Sequence, residues 1–141
     1  MVDYREHRVE ALYAHARKRG NWGKILSVLS GRLCRLRALD EVSEARAARF
    51  RRRPGIQIVP IDQIRGSEGR SRDFDCAFYP VQDHNRERWL GVAMARQEEK
   101  SLPPVELIQV GDIYFVRDGH HRISVARALG QPVIEAEVLA L

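Results

Sequence analysis

Long apolar runs are missing from this chain of 141 residues. No stretch approaches the ~20 residues that a helix needs to span a bilayer. Met1-Val2-Asp3-Tyr4-Arg5-Glu6 is too polar to open a secretory signal. Cysteine is scarce: Cys34 and Cys76 stand alone, with no CxxC and no spacing that outlines a disulfide framework. A reducing cytoplasm is therefore the expectation, with Cys76, which has no activating neighbour in sequence, read as inert. Aromatic residues are few and are not interleaved with basic ones in the manner of a single-strand stacking platform. Internal repeats and low-complexity tracts are absent as well.

What the chain does have is an uneven charge. Residues 1–53 carry 14 Lys+Arg against 6 Asp+Glu, whereas residues 54–141 carry 10 against 13. A basic front half joined to a mildly acidic back half suggests two tasks, one of them contact with a polyanion. A solvated helical surface rich in arginine accounts for the same bias.

Periodicity divides the chain at the same place. Residues 3–19 have Val9, Leu12, Tyr13 and Ala16 on one helical face, and Gly20-Asn21-Trp22-Gly23 is expected to break that helix. A second helix is predicted from Lys24 to Ala38 with an apolar stripe of Ile25, Val28, Leu29, Leu33 and Leu36, suited to a core or to a homodimer. A third is predicted from Asp40 to Arg53. The run Arg51-Arg52-Arg53 before Pro54-Gly55 marks the expected boundary between a basic helical extension, residues 1–53, and a domain covering 56–141. Beyond it, Ile56–Val59 alternates as a strand and Ile61–Ile64 forms a short turn. Residues 65–83 form a long loop, more often functional than idle at that length. A helix is expected over His84–Glu99, with Trp89 at core spacing; Trp89 and Phe74 read as core or loop anchors rather than base-stacking platforms. Val105–Val110 and Ile113–Val116 flank Gly111-Asp112 as a hairpin, and Val133–Val138 closes as an alternating strand.

Residues 116–130 concentrate the chemistry. The strand ending at Val116 runs into Asp118-Gly119, and His120, His121 and Arg122 then open a helix that stops at Gly130. Glycine at a strand-to-helix turn lets backbone approach a ligand, and the first helical turn offers unpaired N–H groups and the positive end of the dipole. Arg122 adds a planar fork suited to phosphate or carboxylate; a cation there opposes the helix dipole, which favours an anionic partner. The two histidines are candidates for phosphate contact, general acid/base work or metal ligation, or for bonding a backbone carbonyl. No Cys or His at metal spacing accompanies them, so no metal site is assigned to them. Asp118 either orients a histidine, acts as a base, ligates magnesium or shapes the turn. Glu68, Asp73 and Asp75 supply further carboxylates beside Arg70 and Arg72.

Laid out in this order, residues 56–141 resemble the ParB/sulfiredoxin-type domain. Ile58–Ile64 is similar to the opening strand of that family, Arg70–Asp75 to its arginine-containing stretch, and Leu102–Val116 followed by Gly119–Ala126 to its core strand, turn and helix. The resemblance implies an α+β fold, a small mixed sheet with helices. It also implies nucleotide phosphates at Gly119, His121 and Arg122, with Arg70 and Arg72 reaching the same phosphates and Mg2+ accompanying CTP, ATP or ADP. The Asp-Gly-His-His-Arg form resembles the ADP-dependent free-serine kinases more than the chromosome-partition branch of the family. His120 stands where sulfiredoxins carry their cysteine, and the glutamate of the ParB Gly-Glu-Arg-Arg is absent.

The expectation is a nucleotide- or phosphate-binding protein, a slow nucleotide hydrolase or phosphotransferase if an enzyme, with His120 and Asp118 as catalytic candidates. The alternative is a non-enzymatic nucleic-acid-binding or nucleotide-gated module that grips DNA through Arg51, Arg52, Arg53 and the basic helices. A metal-dependent nuclease ranks last.

Overall fold

Alternating apolar residues beyond Pro54-Gly55 build a sheet, and the helices cover one of its faces. The computed structural model of the chain describes residues 3–31, 34–42, 49–69 and 71–140. Within them run α1 (Tyr4–Ser30), β1 (Arg37–Ala38), β2 (Arg51–Arg52), β3 (Gln57–Pro60), β4 (Ile64–Ser67), α2 (Arg86–Gln97), β5 (Val105–Val110), β6 (Ile113–Asp118), α3 (His120–Ala128) and β7 (Val133–Ala140). The sheet order is β1-β4-β6-β5-β7-β2, with β3 also paired to β7. β1, β4 and β6 are parallel neighbours, the β5–β6 pair is the expected hairpin, β5 and β7 are parallel, and β2 and β3 run antiparallel to β7. The protein is α+β, as its pattern predicts.

Period-two geometry sends successive residues to opposite faces. Leu107, Val116 and Val138 join the helix-covered core with Val9, Tyr13, Ala16, Trp89 and Ile123, while their neighbours Ile108 and Phe115 form a smaller cluster on the other face with Val42. Trp89 is fully buried and donates its Nε1–H to Ser124 Oγ at 2.9 Å, which satisfies both polar groups. Tyr13 meets Trp89 edge-on at 5.3 Å and bonds Asp83 Oδ1 at 2.6 Å. Burial and that carboxylate push the Tyr13 phenol up to about 12.

Several expectations for the front half are corrected. Gly20–Gly23 does not break a helix, because α1 is continuous over 27 residues. The glycine serves close packing instead: a Cβ on Gly20 would lie 2.3 Å from the Pro80 carbonyl oxygen. The second predicted helix ends at Ser30, capped by Gly31 at φ 71°, and Arg37–Ala38 is a strand. Its stripe does not form one buried face, since Leu36 is buried while Val28 and Leu29 are exposed; Leu33 lies outside the described residues. The two ends of the third predicted helix are not helical: Leu39–Glu41 is a 3-10 turn and Arg51–Arg52 pairs with β7. Residues 43–48 lie outside the described residues. Pairing with an existing sheet edge overrides helical composition at Arg51–Arg52. Ile64–Ser67, expected to lie in a turn and loop, is the strand β4.

The cysteines require the clearest correction. Cys34 and Cys76 form a disulfide, with Cα atoms 5.0 Å apart across a sequence separation of 42. Cys76 as an inert thiol, and the reducing compartment expected from two unpaired cysteines, lose their premise. Spacing cannot announce a bridge that depends on α1 carrying Cys34 back onto the loop. Among the described residues no helix is long and apolar enough to cross a membrane.

Candidate functional site

The parallel strands β4 and β6 end side by side, at Ser67 and Asp118, where α3 begins. Carboxyl ends of parallel strands beside a helix N-terminus are a favoured place for ligands. A cavity of about 690 Å³ opens there, lined by Ser67, Ser71, Arg72, Val116, Arg117 and His120, with Glu68, Gly69 and Asp73 also in its wall. No side chain caps α3; its N-cap is Gly119 at φ 113°. That backbone suits glycine, and a Cβ there would also lie 2.5 Å from Val105 Cγ1.

His120 forms one side of the cavity. Its Nε2 lies 2.8 Å from Ser67 Oγ and its ring stacks over Phe74 at 6.3 Å. Burial lowers its pKa, against the opposing pull of Asp118 and Asp73, so the ring is neutral near pH 7. Phe74, buried as expected of a loop anchor, also meets His121 edge-on at 5.3 Å. His121 faces Tyr13, Asn85 and Trp89 rather than the cavity, and its Nε2 is buried with no hydrogen-bond partner among the described residues. Burial, then Arg88 and His120, push that imidazole down to about 4.

Arg122 points elsewhere. It donates to the carbonyls of Pro103 at 2.6 Å and Pro104 at 3.1 Å and to Asp118 Oδ2 at 2.9 Å. With Pro103, Pro104, Val105, Ile58 and Arg96 it lines a second cavity of about 460 Å³. Residues 120 and 122 lie about 200° apart around a helix, so neighbours in the motif face opposite ways.

The structure therefore brings His120 and Arg72 to one cavity, places Gly119 at the helix start, and turns His121 and Arg122 away from it. Arg70 lies outside the described residues. Asp118 is exposed and bonded to Arg122. Arg51, Arg52 and Arg53 are all exposed at the sheet edge, where Arg52 is paired with Glu137 at 3.1 Å and Glu106 at 3.7 Å.

Sequence reasoning missed Ser67 and Arg117. Arg117 is clamped by Glu68 at 3.0 and 3.3 Å. Its signal is its place at the end of a strand one residue before Asp118-Gly119; Ser67 has none, because the polar composition of residues 65–83 reads as loop.

The carboxylates are engaged: Glu68 with Arg117, Asp118 with Arg122, and Asp73 with His84 and Asn85 at 3.0 Å each. Among the described residues no group of three or more His, Cys, Asp or Glu is gathered to hold a metal ion. The donors present do not fit a protein-held magnesium ion; one arriving with a nucleotide would rely on the phosphates for its ligands. By contrast, the Arg72 guanidinium has no ion-pair partner among the described residues, so it is a free cation in the cavity wall.

No protein-family model matches the chain, and no curated protein matches it. Among solved structures, sulfiredoxin from Arabidopsis thaliana is similar, with a TM-score of 0.45 and 19% identity, covering 60% of this chain and 84% of that one.

Proposed function

We propose that this protein binds a phosphorylated small molecule, a nucleotide before others, in the cavity at the N-terminus of α3, and that residues 56–141 form a domain of the ParB/sulfiredoxin type. The observation that carries the reading is the meeting, in one cavity, of a helix N-terminus that no side chain caps with Arg72, which has no ion-pair partner among the described residues. The helix supplies N–H donors and a positive dipole end, and Arg72 supplies charge. Arg117, steadied by Glu68, lies in the same wall. The strand, Asp-Gly-His-His-Arg turn and helix follow one another as in that family. Turnover, as slow hydrolysis or phosphotransfer, would depend on positioning and charge stabilisation, with neutral His120 as the acid/base group.

Thermal denaturation with CTP, ATP, ADP, GTP and AMP, each with and without magnesium, tests this. A ligand at ~100 times its Kd adds about 2.7 kcal/mol, a shift of several degrees. The shift is expected with at least one nucleotide, is lost in Arg72→Ala and persists in Arg122→Ala. Loss in Arg122→Ala alone would move the ligand to the second cavity. No shift with any nucleotide would overturn the reading.

A further inference from the structure

Ser67 is 3% exposed, yet its hydroxyl lies in the cavity wall, 2.8 Å from a histidine nitrogen. The bond satisfies both buried groups, as Trp89 and Ser124 satisfy each other, but this pair also faces a cavity beside a helix N-terminus and a guanidinium. The pair has the arrangement of a nucleophile beside its base. Phe74 stacks on the His120 ring and holds its plane, while the parallel pairing of β4 with β6 fixes Ser67 against Val116. With the ring neutral, Nε2 accepts the Ser67 proton when Nδ1 carries the other.

We propose that Ser67 is an autophosphorylation site, taking the terminal phosphoryl group of a nucleoside triphosphate bound in this cavity. The proposal rests on the nucleotide reading above. Ser67 Oγ forms the new bond to the terminal phosphorus. The bond from that phosphorus to its bridging oxygen breaks, and the nucleoside diphosphate departs with the electron pair. The hydroxyl proton goes to His120 Nε2. The phosphoserine then sits at the N-terminus of α3, beside Arg72, where a dianion is favoured by both the dipole and the free guanidinium. That stabilisation makes the modification persist rather than turn over rapidly.

The test is to incubate the full chain with CTP, ATP or GTP and magnesium, then to measure intact mass and map peptides, with thermal shifts recorded on the same samples. The expected result is a gain of one phosphoryl group, located on Ser67 and absent from Ser67→Ala. His120→Gln, checked for folding by its melting curve, should slow the gain roughly a hundredfold. In wild-type protein the gain should also slow as pH falls and His120 takes up a proton. A nucleotide that shifts the melting point of the wild type without adding mass would overturn the proposal and leave the binding site standing. A phosphoryl group found on another residue would overturn it too. Absence of both shift and mass gain would overturn the binding reading and this proposal together.

Discussion

The two sides of the first turn of α3 differ in what holds them. On the His120 side the wall comes from residues 68–69 and 71–79, the latter fixed by Phe74 in the core, by the buried Asp75 carboxylate accepting from the N–H groups of Ala77 and Tyr79 at 2.9 Å each, and by the disulfide at Cys76. On the Arg122 side the wall is Pro103-Pro104, fixed by one guanidinium that bonds both carbonyls. The first side combines a rigid wall with an unpaired cation facing a cavity. The second consumes its arginine in holding the fold. An arginine in a phosphate-like motif is thus not by itself a phosphate contact: its place around the helix decides which wall it serves.

Cutting the covalent tie on the His120 side should have the largest effect. In the chain-entropy account, closing a loop across 42 residues stabilises by about 4 kcal/mol, and Cys34→Ser with Cys76→Ser should lose most of it. Urea denaturation of oxidised, reduced and doubly substituted protein measures this. Arg72 lines both the nucleotide cavity and a neighbouring cavity of about 510 Å³ that Cys34 also lines, so nucleotide binding should weaken along with stability. A midpoint unaffected by reduction would show that this wall is held as lightly as its counterpart.

The effect of Arg122→Ala should be smaller and of a different kind. Removing charge-assisted bonds to two half-buried or exposed carbonyls costs about 2 kcal/mol, and the exposed Asp118 pair adds little. Stability should therefore fall while nucleotide affinity stays within roughly twofold, a difference well under 1 kcal/mol. Stability unchanged with affinity lost would reverse the roles assigned to the two sides.

These two sides were not equally legible in the sequence. The turn and helix from Asp118 to Gly130, the hairpin before it and the closing strand are local patterns, and α3, β5, β6 and β7 form where periodicity places them. Trp89 and Phe74 were recognisable as anchors because a large apolar side chain beside polar neighbours has few other uses. What escaped is what depends on distant partners. β4 needs β6 beside it, Arg51–Arg52 become a strand only against β7, and Gly20 reads as a helix breaker until Pro80 is seen pressing on it. Ser67 belongs to this class: nothing within its own segment shows that His120, 53 residues later, will come to rest against it.

A change in slope, rather than in midpoint or affinity, is expected from the pH dependence contributed by the His121 ring, which belongs to neither cavity. Its pKa falls from the ordinary 6.5 to about 4, chiefly by burial, with Arg88 and His120 adding to the fall and Asp73 opposing it. Between these values the unfolded chain binds a proton that the folded protein does not, so stability declines as pH drops from 6.5 towards about 4 and this contribution is constant below it. His120 acts in the same direction through its own burial. Asp75, raised by burial, acts oppositely, and Asp83, lowered by Arg17 and Tyr13, weakens the fold only at more acidic pH. The difference between wild type and His121→Gln isolates the ring. Denaturation midpoints measured from pH 7 downwards should slope less in the variant over that window. Parallel slopes would mean that the ring finds a proton acceptor when charged, most directly Asp73, and that the wall beside Phe74 is less closed to water than the unpartnered Nε2 indicates.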